Sequence, residues 1–155
     1  MTPAQRVAAV LGACALAVPV IATYEGYVPK GYSDPVGIAT ACYGHTGDDA
    51  ILGRVYTADQ CAGLLAQDAI KHGLDIDQCL TRPIPEASRA AFISFAFNIG
   101  AAKFCSSSVA RKANAGDLAG ACAGLSAWVF AKGRILPGLV TRRKAERELC
   151  ERGLQ

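Results

Sequence analysis

A chain of 155 residues, 52% apolar and 19% charged, is long enough to bury one core, and that composition excludes a disordered chain. Its formal net charge of +3 suits an anionic surface such as a bacterial envelope and gives no basis for a nucleic-acid partner. Seven cysteines without a C-x-x-C pair speak against a zinc site, and for three structural disulfides in an oxidising compartment.

From Val7 to Tyr24 the chain carries no charge, and Arg6 stands just before this run. As a helix rising about 1.5 Å per residue it spans about 27 Å, slightly short of a hydrocarbon core of about 30 Å. It is rich in alanine and contains Pro19, which would kink it. Three readings are open: a cleaved signal peptide with Val20-Ile21-Ala22 as its cleavage site, a permanent anchor, and an uncleaved, reversible anchor. Weak hydrophobicity and the odd Cys14 favour the third, and cleavage would remove whatever helix presents Glu25.

Glycines and prolines punctuate residues 25–56, which excludes a long helix and predicts a small sheet, with Val36–Thr40 and Ala41–Tyr43 as hairpin strands. Thr57-Ala58-Asp59-Gln60 has the form of a capping box and opens a helix expected to reach about Lys71, with Gly73 as its stop. Residues 74–85 read as a connection, and Pro85 suits the first turn of the next helix. The run from Ala90 to Ile99 is apolar on nearly every side, which marks a helix buried all round. Ser106–Asn114 reads as another helix, Asp117 as the cap of a following one, and Trp128–Phe130 as a short further turn. A last helix runs from Pro137 to about Cys150 and stops at Gly153.

Glu25 and Asp34 are nine residues apart, and Thr40 follows six later. A Glu at a helix end, with the chain turning back through a hairpin, can set two carboxylates across a cleft. Glycosidic cleavage needs such a pair, one acid that holds its proton and one anion that handles water. Spacing alone does not separate this pair from two solvated surface carboxylates.

The segment Glu25, Asp34, Thr40, Gly44-His45-Thr46 resembles the catalytic signature of the phage-type lysozymes, the glycoside hydrolase family that includes T-even phage lysozyme. The resemblance continues through Tyr56–Cys61, Phe95–Gly100 and Leu136–Arg143, and covers about residues 24–150. It implies an α+β, mostly α fold of two lobes, a small antiparallel β-sheet lobe and a larger helical lobe, with a peptidoglycan cleft between them. Glu25 resembles the general acid, and Asp34 and Thr40 resemble the groups that orient and activate water on the opposite sugar face. That is an inverting muramidase without a cofactor, cutting between N-acetylmuramic acid and N-acetylglucosamine for host-cell lysis. The competing classes are a catalytically inactive cell-wall-binding protein of the same fold, a holin and a transglycosylase; the intact trio and the large soluble body weigh against them.

In the family pattern His45 looks structural, with Asp68 as its ion-pair partner. Tyr32 and Trp128 are candidates for stacking on sugar, and Asn98 either lines the cleft or caps a helix. Arg142, Arg143, Lys144, Arg147 and Arg152, interleaved with Glu146, Glu148 and Glu151, read as a solvated helix face. Six cysteines allow fifteen pairings; the resemblance suggests Cys42–Cys61, Cys105–Cys122 and Cys79–Cys150. Residues 1–23 resemble the signal-anchor-release segment of some phage endolysins, and residues 24–155 a lysozyme-like catalytic domain. Such a protein is exported by the host secretion machinery as a monomer and tethered, inactive, at the periplasmic face of the inner membrane. Release, typically on depolarisation, delivers it to the periplasm. Relatives with a cysteine at the position of Asp34 are unlocked by disulfide exchange, a lock that Asp34 rules out here. Cys14 remains a candidate redox switch, with Cys42 as the exchange partner nearest the site.

Overall fold

Thr2 and Gln5 open the chain with a reciprocal cap, each side chain accepting the other residue's amide proton and so satisfying two donors that the helix cannot. Helix α1 (Pro3–Tyr24) follows, in a computed structural model that describes residues 1–155. Its buried residues, Val10, Ala13, Cys14, Ala17 and Ile21, recur at helical spacing, so one stripe of mostly small side chains lies against the body. The opposite stripe, including Val7 and Leu11, faces out. The N-terminal segment is thus part of the core while remaining apolar on its outer face.

Strands β1 (Val28–Ser33), β2 (Ala39–Cys42) and β3 (His45–Thr46) form an antiparallel sheet in that order. The β1–β2 ladder slips between Val28 and Tyr32, where Pro29 has no amide proton to give. The turn of the first hairpin lies at Asp34–Ile38, so Ala39–Cys42 is one strand without the expected break after Thr40. Asp34 causes this: its Oδ1 accepts from the amides of Val36 and Ile38 at 2.9 and 2.8 Å, which closes the turn.

The helical lobe comprises α2 (Ala58–Asp77), α3 (Glu86–Ile99), α4 (Ala101–Ser106), α5 (Ser108–Asn114), α6 (Leu118–Gly124) and α7 (Pro137–Arg152). Thr57 and Asp117 cap α2 and α6 through their side chains, and Gly153 ends α7. Helix α2 does not stop before Gly73 but passes through it to Asp77. A Cβ at Gly73 would stand 2.6 Å from Val10 Cγ1, so this glycine is where α1 sinks onto α2. The helix expected from Ser106 starts at Ser108, because Ser107 accepts the Ala110 amide and caps it. Beyond a 3-10 turn at Leu125–Ala127, strands β4 (Phe130–Ala131) and β5 (Arg134–Ile135) form a hairpin where only a further turn was expected. Lys132 and Gly133 both have positive φ, +50° and +74°, the left-handed pair that joins two strands tightly.

A main cluster of 24 buried residues draws on α1 and the helical lobe, and takes in every apolar residue of Ala90–Ala96 in α3, a run that is buried throughout. The sheet lobe has a second cluster of four, Ala41, Cys42, Tyr56 and Cys61. Tyr43 packs against both and joins the lobes.

Cys42 is bonded to Cys61, Cys79 to Cys105 and Cys122 to Cys150, with Cα separations of 5.0, 5.7 and 5.5 Å. The suggested Cys105–Cys122 and Cys79–Cys150 pairings are therefore exchanged. Cys79, just past the end of α2, meets α4, while α5 stands between α4 and the α6 cysteine, which turns to α7 instead. Cys14 is a free thiol buried in the main cluster, whereas Cys42 is already bonded in the other. In the docked helix Cys14 therefore packs as a small hydrophobe, in a different cluster from the Cys42–Cys61 bond.

Candidate active site

Glu25 caps the C-terminus of α1, its amide donating to the Ile21 carbonyl. Its carboxylate lies between the lobes. On the helical side Arg142 Nη1 donates to Glu25 Oε1 at 2.7 Å. On the sheet side a Cβ at Gly44 would stand 3.8 Å from Glu25 Oε2, and Gly44 holds φ +72° in the β2–β3 turn. Tyr27 stacks on Tyr43 at 5.0 Å, tying the chain just after Glu25 to that same turn. Glu25 thus sits where α1, the helical lobe and the β2–β3 turn meet.

Asp34 and Thr40 sit at opposite ends of one turn and share the Ile38 peptide. Asp34 accepts the Ile38 amide, and both the Asp34 amide and the Thr40 hydroxyl donate to the Ile38 carbonyl, at 2.9 and 3.1 Å. This fixes Asp34 Oδ1 and leaves Oδ2 without a protein partner. Thr40 is buried, opposite Tyr32 on β1 and Thr46 on β3. Tyr32 is partly exposed on the same hairpin. Glu25 bonds to Arg142 on the helical side, while Asp34 and Thr40 bond within their own hairpin.

Behind Glu25 lies a charge network that sequence reasoning assigned to a solvated face. Arg142, Arg143 and Glu146 are all buried, Glu146 completely. Arg142 Nε donates to Glu146 Oε1 at 3.0 Å and its Nη2 to the Ser94 carbonyl at 3.0 Å, while the Ser94 hydroxyl donates to Glu146 Oε1 at 2.7 Å. Arg143 donates to Glu146, to Asn98 Oδ1 and, at 2.9 Å, to the Trp128 carbonyl. Asn98 is not a helix cap: its oxygen accepts from Arg143. It still borders a concavity of about 420 Å³ shared with Trp128, Leu136 and Arg143. Trp128 packs edge-on against Phe95 at 5.2 Å and turns its remaining surface to that concavity. Lys144, Arg147 and Arg152 do lie on the outer side of α7. The signal for the buried side of α7 lay far away in sequence, in Ser94 and Asn98 of α3, which face it.

Replacing Glu146 with Ala leaves two buried guanidiniums without the carboxylate they share, and breaking a buried pair costs about 3–5 kcal/mol. Urea unfolding of Glu146→Ala is expected to show a loss of that size, where a surface pair would show less than about 1 kcal/mol.

His45 bonds through both ring nitrogens, Nδ1 to Asp68 at 2.8 Å and Nε2 to Asp49 at 2.7 Å. Asp49 was missed because a loop aspartate four residues on is unremarkable. Burial alone would lower the His45 pKa, but hydrogen bonds and charge from Asp49 and Asp68 raise it above its ordinary 6.5. The bond to His45 in turn lowers that of Asp49 from 3.8. The His45 contribution to stability is then full below pH 6.5 and lost as pH rises through the raised folded value. The Asp49 contribution is present above pH 3.8 and lost as pH falls through its lowered one. The melting-temperature advantage of the native chain over His45→Gln should be largest between these limits and shrink by a few degrees on the alkaline side. A pH-independent gap would contradict the ion-pair account.

The sequence pattern of the phage lysozyme family, described as Phage lysozyme, matches residues 22–146. The chain belongs to that family. A SAR-endolysin of Bacteriophage PS119 is 44% identical over 131 residues, covering 84% of this chain and 78% of that protein. Among solved structures, the muramidase domain of SpmX from Asticaccaulis excentricus aligns with a TM-score of 0.80 at 29% identity, covering 87% of this chain and 94% of that one. The active form of the P1 phage endolysin Lyz aligns at 0.75 and 27% identity over 88% and 83% of the two chains. Its secreted inactive form aligns at only 0.52 and 26% identity over 70% and 78%. This phage lysozyme, with α1 docked in its core, is closer to the active arrangement. The α+β, mostly α fold of the family, with a small antiparallel sheet, is the fold found here.

Proposed function

We propose that the chain is an exported phage endolysin, a muramidase that hydrolyses bacterial peptidoglycan between N-acetylmuramic acid and N-acetylglucosamine. The observation that carries this is Glu25, held at the lobe junction by Arg142 and meeting at Gly44 the sheet whose first hairpin carries Asp34 and Thr40 on one shared peptide. Glu25 protonates the leaving glycosidic oxygen. Asp34 Oδ2 accepts a proton from the attacking water, and the Thr40 oxygen accepts its second hydrogen bond, so water enters from the opposite sugar face. The breaking bond thus gains its proton at Glu25 while the water loses one to Asp34, the inverting course.

Residues 1–23 serve as a reversible membrane anchor and residues 24–155 as the catalytic domain. Helix α1 is apolar and long enough to cross a bilayer, by length and composition. The same stripe that packs on α2 and α3 cannot lie in lipid at the same time, and Glu25 moves with it. Host secretion machinery carries the monomeric chain out, the membrane holds it inactive at the periplasmic face, and release assembles the site in the periplasm.

The test is expression in a Gram-negative host without a holin, with membrane fractionation and lysis on depolarisation compared between the native chain and Glu25→Gln. Lysis by chain still held in the membrane fraction would contradict the tethered-inactive state. Mass spectrometry of the products separates hydrolysis, which leaves reducing ends, from anhydro-sugar formation by a transglycosylase.

A further inference from the structure

The β2–β3 turn that faces Glu25 rests on a small core and on the His45–Asp68 bond to α2. The buried cluster of the sheet lobe has four members, and two of them, Cys42 and Cys61, are the halves of one disulfide. Cys42 stands two residues after Thr40 and two before Gly44, the residue that meets Glu25 Oε2. It also has φ +60°, a left-handed conformation that side chains other than glycine's rarely adopt. A residue keeps such a conformation only where its surroundings over-determine it. Among those surroundings are the sulfur bridge from Cys42 to the first turn of α2 and the next residue, Tyr43, stacked on Tyr27 beside Glu25. The other two disulfides tie helices of the large lobe, which has its own 24-residue cluster.

We propose that the Cys42–Cys61 disulfide is a positioning element for catalysis. By pinning Cys42 in its left-handed conformation, it aims the Tyr43–Gly44 turn at Glu25 and holds Thr40 in place. The enzyme is then incompetent, though folded in its helical lobe, until this bond forms. Formation releases two protons and two electrons from the Cys42 and Cys61 thiols, and the electrons pass to a protein disulfide of the export compartment, which becomes a dithiol. This rests on the muramidase reading above, and adds that oxidation of the sheet lobe is a requirement of its own, separate from the docking of α1.

The test compares Cys42→Ala/Cys61→Ala and Cys79→Ala/Cys105→Ala with the native full chain on purified peptidoglycan, alongside amide hydrogen exchange. Removing the sheet-lobe bond should lower kcat by about a hundredfold, the scale of a misplacement of about 1 Å at a reacting centre, with KM little changed. Residues 39–46 should lose protection while α3 keeps it. The Cys79–Cys105 pair should reduce thermal stability and leave kcat near native. Because glycine adopts positive φ freely, Cys42→Gly/Cys61→Ala should recover at least about a tenth of native kcat. Native kcat in the Cys42→Ala/Cys61→Ala chain, loss of protection in α3 along with the sheet, or no gain from glycine would each overturn the proposal. None of these touches the muramidase reading, which falls if the native chain leaves peptidoglycan intact or yields anhydro-sugar ends.

Discussion

Glu25→Gln is expected to lower peptidoglycan hydrolysis by about a thousandfold while the chain keeps its fold, since a positioned general acid contributes about 10²–10⁴ in rate. Glutamine has the same length and keeps an oxygen able to accept from Arg142, whose other donors remain bound to Glu146 and the Ser94 carbonyl. The network behind the site therefore survives, and stability should shift by less than about 1 kcal/mol, as for a partly exposed pair that retains its hydrogen bond. What glutamine cannot do is give a proton to the glycosidic oxygen. Turbidity clearing measured beside urea unfolding separates the two effects. Near-native clearing by a folded Glu25→Gln chain would remove Glu25 from the acid role. A collapse in stability would show instead that the carboxylate is mainly a structural partner of Arg142.

How much of this could be read from residues alone depended on whether a signal had one physical cause or two. The capping box at Thr57, the breakers of residues 25–56 and the apolar run of α3 each have one, and a helix start, a small sheet and a buried helix stand where those signals put them, though the strand bounds shift. Glu25, Asp34 and Thr40 became a candidate site only through the family pattern, because spacing could not show that Asp34 and Thr40 share the Ile38 peptide. The α1 run is ambiguous in a deeper way. Ala13, Cys14 and Ala17 suit lipid and suit close helix packing equally, and nothing local to them tells which surface they meet. Gly73 reads as a helix stop until Val10 is seen against it, and the charges of α7 read as surface pairs until Ser94 and Asn98 are seen facing them. In each case the missing fact was a partner distant in sequence.

Gly73→Leu should therefore disable the enzyme from a position remote from the carboxylates, without touching the anchor. Leucine is a better helix former than glycine by about 0.8 kcal/mol, so α2 itself gains. Its side chain, however, has to enter a space where a Cβ alone would stand 2.6 Å from Val10 Cγ1 and 3.1 Å from Ile93 Cδ1. Overpacking of this kind typically costs about 1–3 kcal/mol. In water that would be tolerated, because undocking α1 would expose Val10 and Ile21. On the proposed function the alternative to docking is lipid, which is as apolar as the core, so burial does not favour either state. The balance is then left to fit and to the polar ties at the two ends, Arg6 to Asp77 at 3.1 Å and Arg142 to Glu25 at 2.7 Å. Against so narrow a margin, about 1–3 kcal/mol shifts the docked fraction by roughly fivefold to a hundredfold. Lysis after depolarisation should fall in proportion, with the chain retained in the membrane fraction and the α2 and α3 amides still protected. Gly73→Ala should give a smaller defect, and adding Val10→Ala, which removes the clashing methyl, should relieve it. A Gly73→Leu chain that is released and lyses like the native one would mean that α1 docks by some other surface than the one seen here.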